Sequence, residues 1–133
     1  MSSPDPPSSP DPQGVLAGVA FEIEGVRRRL EAGNGGYEVA HDSPGLEIGV
    51  YVLVAPEPDR QQPHADDEVY VVLDGSGVIE VEGKPVPLAH GGAVFVPSGA
   101  DHRFTAYECL SVLVIFARKR RIETQSPAAD APL

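Results

Sequence analysis

The sequence predicts an all-β domain, either a sandwich or a small barrel, and three observations support this prediction. Fourteen glycines and fourteen prolines among 133 residues indicate frequent turns. Short runs of apolar, β-branched residues recur at regular spacing between those turns. Three of the runs, VYVVL, AVFV and VLVIF, are apolar at both odd and even positions, which indicates strands covered on both faces. We therefore expect a closed double sheet, with a homodimer partner as further cover for its outer face.

The individual elements follow from the same patterns. The segment FEIEGVRRRLEA at 21–32 fits either a short helix or an edge strand, and GNGG at 33–36 ends it. The turn DGSG at 74–77 predicts a hairpin between the strands that flank it. Eight strands are expected, at 37–41, 46–55, 68–73, 77–83, 84–88, 93–97, 102–107 and 110–117.

The chain is long enough for one domain with a substantial core. Residues 1–14 are mostly Ser, Pro and Asp, and they predict a disordered tail because they have little apolar surface to bury. Residues 15–120 are the predicted barrel. Residues 121–133, which are rich in Ala and Pro, predict a flexible C-terminal tail.

Charge and composition exclude several classes of partner. A net charge of −10 argues against nucleic acid and anionic membranes, because phosphate binding requires clustered Lys and Arg. The one cysteine, Cys109, excludes an internal disulfide and a Cys-rich zinc finger. The sequence has no run of about 20 apolar residues and no basic-then-apolar start, so a cytoplasmic protein is expected.

The stretch QQPHADDEVY at 61–70 is either a solvated acidic turn or one half of a metal site. Residues two apart in an extended chain face the same way, so Gln62 and His64 are expected to point into one cavity. Glu68 has the same parity, and imidazole mixed with carboxylate suits iron, manganese, nickel and zinc. His102, which follows the glycine turn in PSGADHRF, is the candidate ligand from a distant strand.

These two stretches resemble the cupin family, whose motifs have the forms G-x5-H-x-H-x3-4-E-x6-G and G-x5-P-x-G-x2-H-x3-N. His64, Glu68 and Gly75 have the spacing of the first motif. The resemblance extends over about 46–117 and implies a jelly-roll barrel, also called a double-stranded β-helix. The second motif is matched through its histidine by Gly91, Pro97, Gly99 and His102.

The resemblance also implies a divalent metal ion, Fe²⁺ before Mn²⁺, Ni²⁺ or Zn²⁺, held by His64, Glu68 and His102. Gln62 replaces the first histidine of the first motif, and an amide oxygen is a weaker, neutral ligand. Gln62 is therefore either a fourth ligand or a hydrogen-bonding neighbour of the site. Pro63 leaves open a shifted register in which Gln61 faces inward instead.

Two classes of function are compatible with this likeness. A small-molecule metalloenzyme of the dioxygenase type is the first hypothesis, because two His and one Glu match a facial ligand set with open positions for O₂ and substrate. An isomerase or lyase would use the same ion as a Lewis acid. The alternative class is a non-catalytic module that binds a small ligand, and the change at Gln62 favours it.

Three residues are candidate catalytic groups. Glu68 is a candidate base beside the metal. Tyr70 has the parity of Glu68 and is expected to face the barrel interior. His41, at the end of a predicted strand, is a candidate acid–base residue at the mouth of the pocket. Phe95 is expected in the core or in the pocket wall.

Overall fold

The computed structural model describes residues 17–118, which form one helix and eight strands. The predicted tails at 1–14 and 121–133 lie outside these residues. All eight predicted strands are present, with bounds that differ from the prediction by no more than two residues, and the segment before them is a helix. The elements are α1 Glu24–Ala32, β1 Gly36–Asp42, β2 Leu46–Val54, β3 Asp67–Asp74, β4 Ser76–Val81, β5 Lys84–Ala89, β6 Ala93–Val96, β7 His102–Tyr107 and β8 Cys109–Ala117.

The strands form two antiparallel sheets that face each other. The larger sheet has five strands in the order β1-β2-β8-β3-β6, and the smaller has three in the order β5-β4-β7. From β3 onward the chain passes repeatedly between the two sheets, so that β4 and β5 leave the larger sheet, β6 returns to it, β7 leaves again and β8 returns. This winding is the predicted jelly-roll barrel.

The core lies between the two sheets and follows the period of two along each strand. On β3, Glu68, Tyr70 and Val72 are buried, while the alternate Val69 is only half-buried. The rings of Tyr70 and Phe104 meet edge to face across the core, with centroids 5.1 Å apart. Since the neighbouring side chains are apolar, a polar group at an inward position of β3 is removed from water.

The outer face of the larger sheet is covered in part by α1. Val26 on the helix packs against Val50 and Val52 on β2. Phe95 on the edge strand β6 keeps 56% of its surface exposed, so the expectation that it lies in the core or pocket wall was wrong. No helix within residues 17–118 has the length and apolar character that a membrane span requires.

Gly75 closes the turn between β3 and β4. Its φ of +86° is in the left-handed region, and a Cβ placed there would lie 2.2 Å from the carbonyl oxygen of Cys109. Gly83 has a similar φ of +80°, but a Cβ there would meet nothing within 4 Å. A comparison of alanine substitutions at the two glycines therefore distinguishes the cost of backbone strain from the cost of steric collision.

We expect Gly75→Ala to lower the free energy of unfolding by about 3 kcal/mol, because strain and collision add. Gly83→Ala, the matched control, should cost only about 1 kcal/mol from strain alone. Urea denaturation followed by circular dichroism measures both. Equal losses in the two variants would contradict the packing described for the β3–β4 turn.

Candidate functional site

Two histidine-bearing segments lie side by side at one end of the barrel. One is the loop before β3, which carries His64, and the other is the turn at 97–101, which leads into His102. The amide of Gly99 donates to the carbonyl oxygen of His64 at 2.7 Å. The hydroxyl of Ser98 donates to the Ala65 carbonyl at 2.6 Å. These bonds hold the loop next to the start of β7.

Glu68 and His102 meet in the interior, one from each sheet. His102 Nε2 is 3.2 Å from Glu68 Oε1, and the two side chains are 0% and 1% exposed. The Nδ1–H group of His102 donates to the carbonyl of Ala100 at 2.9 Å, because a carbonyl can only accept. In a neutral imidazole the lone pair therefore lies on Nε2 and faces a carboxylate oxygen.

This geometry leaves a polar atom without a satisfied bond. Within the described part of the chain, His102 Nε2 is buried and has no hydrogen-bond partner, although it lies within ion-pair distance of Glu68. Two acceptors that face each other at 3.2 Å repel unless a proton or a metal ion lies between them. The donor set, one imidazole nitrogen and one carboxylate oxygen, suits a divalent transition metal.

Tyr70 connects Glu68 to the loop. Its hydroxyl lies 2.8 Å from Glu68 Oε2 and 2.7 Å from Gln61 Oε1, while Gln61 Nε2 donates to Asp59. The single hydroxyl proton of Tyr70 is shared between these two acceptors. Burial raises the pKa of the Glu68 carboxyl. Burial and the adjacent Glu68 raise the pKa of the Tyr70 phenol, which stays neutral.

His64 lies close to this pair but is not within ligand distance. Its ring packs edge-on against Phe116 at 4.8 Å, and its centroid is 6.3 Å from that of His102. Two imidazoles on one ion need a separation of about 5 Å, given metal–nitrogen bonds of about 2.1 Å. Accordingly, no three His, Cys, Asp or Glu side chains among residues 17–118 converge closely enough to hold a metal ion.

The structure brings together four of the predicted site residues and separates two. His64, Glu68, Tyr70 and His102 meet at one end of the barrel. Gln62 is exposed, and Gln61 has the inward side chain, so the shifted register is the one observed. His41 pairs with Ile48 on the outer face of the larger sheet and stacks on Phe21 at 5.2 Å, away from the site.

Asp59 is a buried polar residue at the site that the sequence analysis did not single out. It lies in PEPDRQQP, a stretch that looks like an ordinary polar loop. One local signal was present, because an Asp side chain in a loop favours an Asx turn, in which it accepts from the backbone amide two residues later. That turn forms, and the amide of Gln61 donates to Asp59 Oδ1 at 3.1 Å. The contact of Asp59 with Tyr51 spans eight residues and that with Phe104 spans 45, and neither has a local sequence signal.

A cavity of about 390 Å³ opens beside this cluster, which is a suitable size for a small organic molecule. Its walls combine aromatic and aliphatic side chains with polar and charged ones. The polar groups on its wall include Glu47, which accepts from the Tyr37 hydroxyl at 2.8 Å and from Arg118 at 2.6 Å. The lining residues are Tyr37, Glu47, Tyr51, Arg60, Gln61, Gln62, His64, Val114 and Phe116.

Comparison with protein families agrees with the fold and the order of these residues. The family model described as "Cupin domain" matches residues 50–116, which span β2 to β8. This chain belongs to the cupin family. The match includes the segments that carry His64, Glu68 and His102.

Individual relatives are similar over different shares of their length. An uncharacterised protein of Streptomyces coelicolor is 36% identical over 99 residues, covering 74% of this chain and 94% of its own. Dimethylsulfoniopropionate lyase DddW of Ruegeria pomeroyi is 28% identical over 100 residues, covering 74% of this chain and 64% of the lyase. Acireductone dioxygenase of Bacillus thuringiensis is 34% identical over 61 residues, covering 42% of this chain and 36% of the enzyme. The solved structure of TT1209 from Thermus thermophilus matches with a TM-score of 0.61 at 27% identity, covering 72% and 96% of the two chains.

We expect Tyr70→Phe to destabilise chelator-treated protein by about 1–3 kcal/mol, because Gln61 Oε1 would lose its buried donor. Tyr107→Phe is the matched control, since the Tyr107 hydroxyl donates to the Glu57 carbonyl at the surface, where water can replace it. Its loss should be below about 1 kcal/mol. Urea denaturation compares the two, and an equal or smaller loss for Tyr70→Phe would contradict the buried chain of hydrogen bonds.

Proposed function

We propose that this chain is a metal-dependent cupin enzyme that acts on a small organic molecule. A divalent ion, Fe²⁺ before Mn²⁺, Ni²⁺ or Zn²⁺, would be held by Glu68, His102 and His64. The observation that carries the proposal is the buried His102 Nε2 atom, which has no hydrogen-bond partner within the described residues and lies 3.2 Å from Glu68 Oε1. An ion between these atoms would satisfy both.

The surroundings of His102 support a ligand role. The Ala100 carbonyl fixes Nδ1 as the protonated nitrogen, and metal-bound histidines commonly have such a partner on their second nitrogen. A divalent ion bound at Nε2 would be paired with the neighbouring Glu68 carboxylate.

The third ligand requires a small movement of His64. Its imidazole packs on Phe116, while the loop backbone is held through the bond from Gly99 to the His64 carbonyl. A displacement of the ring by about 1 Å would bring it to the separation that two imidazole ligands need. Gln62, which is exposed on the cavity wall, is left out of this set, so the proposed set has three ligands, of which His64 lines the cavity.

The chain's own groups then have distinct tasks. When bound, the ion supplies Lewis-acid and redox chemistry. Tyr70, whose pKa is raised by burial, remains a hydrogen-bond donor beside Glu68 and does not act as a base. Val114 and Phe116 on the cavity wall would pack against the apolar part of a bound substrate.

Dioxygenase chemistry is the first candidate reaction, because the three ligands leave open positions and a relative over 42% of the chain is an acireductone dioxygenase. Lyase chemistry is the second candidate, and the longer match to dimethylsulfoniopropionate lyase DddW, over 74% of the chain, favours it. Consumption of O₂ during turnover distinguishes the two. A homodimer and a cytoplasmic location remain predictions, and the exposed Phe95 supports the former.

Metal content tests the proposal most simply. Protein purified without chelator, or loaded with Mn²⁺ after chelation, should hold close to one ion per chain by elemental analysis. His102→Ala should reduce the metal content to a small fraction of this value, because it removes one ligand and leaves Glu68 without its neighbour. His90→Ala is the control, since His90 is exposed in a turn, and it should leave the content unchanged. Wild-type protein that takes up no Mn²⁺ or Fe²⁺ would refute the proposal.

Glu68→Gln should have opposite effects with and without metal. Burial raises the pKa of folded Glu68 above its usual 4.5, so the folded state retains a proton that the unfolded state loses as pH rises. The stability conferred by this group is therefore present at low pH and lost as pH rises through the folded pKa. Gln has no charge to desolvate, so at pH 7 in chelator the variant should melt at a higher temperature than wild type.

The same variant should lose the gain in melting temperature that Mn²⁺ gives to the wild type, because the amide is a poor ligand. Differential scanning calorimetry in chelator and in Mn²⁺ measures both effects. A lower melting temperature in chelator, or an undiminished gain with Mn²⁺, would contradict the assignment of Glu68 as a ligand.

A further inference from the structure

The carboxylate of Asp59 is buried, and both of its oxygens accept hydrogen bonds. It is 4% exposed, and each of its oxygens accepts two hydrogen bonds. Oδ1 accepts from the Tyr51 hydroxyl at 2.7 Å and from the Gln61 amide at 3.1 Å. Oδ2 accepts from Gln61 Nε2 at 3.0 Å and from the Phe104 amide at 2.8 Å. Four donors around one carboxylate are what an ionised Asp requires when it is removed from water.

These donors belong to three separate parts of the fold. Tyr51 lies on β2 of the larger sheet, and Phe104 lies on β7 of the smaller sheet, two residues after His102. Gln61 lies in the loop, three residues before His64. A single carboxylate thus joins both sheets to the loop, at the point where the proposed ligands converge.

Asp59 also determines the direction of the Gln61 amide. Because Nε2 is held by Asp59, Oε1 must face the Tyr70 hydroxyl, which it meets at 2.7 Å. Tyr70 in turn contacts Glu68 Oε2 at 2.8 Å. Without the carboxylate the amide is free to turn over, and the orientation of Tyr70 beside Glu68 is no longer fixed.

The charge of Asp59 matters as well as its bonds. An ion of charge +2 held by Glu68 and two neutral imidazoles leaves a net charge of +1 in the interior. Buried charge is costly unless it is compensated nearby, and Asp59 supplies the second negative charge. Arg60, the arginine of this loop, is exposed and pairs with Glu57 at 3.6 Å rather than with Asp59.

We infer that Asp59 is a positioning residue of the metal site, which orients Gln61 and the His64 loop and balances the charge of the bound ion. This inference rests on the proposed function for the ion, but the orientation of the loop by Asp59 does not depend on metal.

The test is Asp59→Asn, which keeps the shape and removes the charge and one acceptor. The affinity for Mn²⁺, measured by calorimetry, should fall about 10- to 100-fold, as is typical when a partner of a metal ligand is lost. The absorption spectrum of bound Co²⁺ should also change, which a general loss of stability does not produce. Asp74→Asn is the matched control, because it removes the same charge from an exposed side chain, and it should change the affinity less than about threefold.

Hydrogen exchange in chelator gives a second reading that needs no metal. Asp59→Asn should speed exchange of the Gln61 and Phe104 amides, which donate to Asp59, and of the Gly99 amide by at least about tenfold, whereas Asp74→Asn should not. If wild-type protein binds no Mn²⁺, the proposed function fails while this comparison still decides the role of Asp59. Unchanged exchange in a folded Asp59→Asn variant overturns the inference. If the wild type binds Mn²⁺, an unchanged Mn²⁺ affinity in the variant overturns it as well.

Should Asp59→Asn fail to fold, Tyr51→Phe replaces it. This variant removes one of the four donors and retains the charge, so it should weaken Mn²⁺ binding a few-fold and speed exchange of the Gln61 amide, which shares Asp59 Oδ1 with Tyr51. Exchange and affinity equal to wild type in Tyr51→Phe would count against positioning by Asp59.

Discussion

The contact between Glu68 and His102 is the constraint on which the rest of this site depends. Each residue comes from a different sheet, and both are removed from water by the apolar core. Ionisable groups in such a position need a partner, and here the atoms that face each other are both acceptors. The Ala100 carbonyl on one side and the Tyr70 hydroxyl on the other fix the two side chains, so that the space between them suits a cation.

The barrel creates this contact through the same alternation that builds its core. Glu68 occupies an inward position of β3, in line with Tyr70 and Val72, so the strand that buries apolar groups also buries the carboxylate. The loop that carries His64 is held differently, by bonds from Gly99 and Ser98 in the turn before His102 and by Asp59. Two proposed ligands are therefore fixed by sheets, and the third by a loop with freedom to adjust.

The strands and the positions of His64, Glu68 and His102 could be predicted, because they follow from local alternation and from motif spacing. The inward side chain of Gln61 could not, since it bonds to Tyr70 and to an Asp59 that is itself held by the distant Phe104 amide. His41 has inward parity when counted from Tyr37, but a bulge between Val39 and His41 adds one residue and turns it to the outer face. The alternation of residue types along the sequence does not reveal where a strand contains one extra residue.

The most direct measurement of the central claim is the protonation of His102 by ¹⁵N NMR, in chelator and with Zn²⁺ as a diamagnetic ion. We predict a proton on Nδ1 in both states and a large change in the Nε2 chemical shift when Zn²⁺ is added, because Nε2 becomes a ligand. A proton on Nε2 that persists in the presence of Zn²⁺ would contradict the account. The Glu68–His102 contact would then be an ion pair that holds the two sheets together.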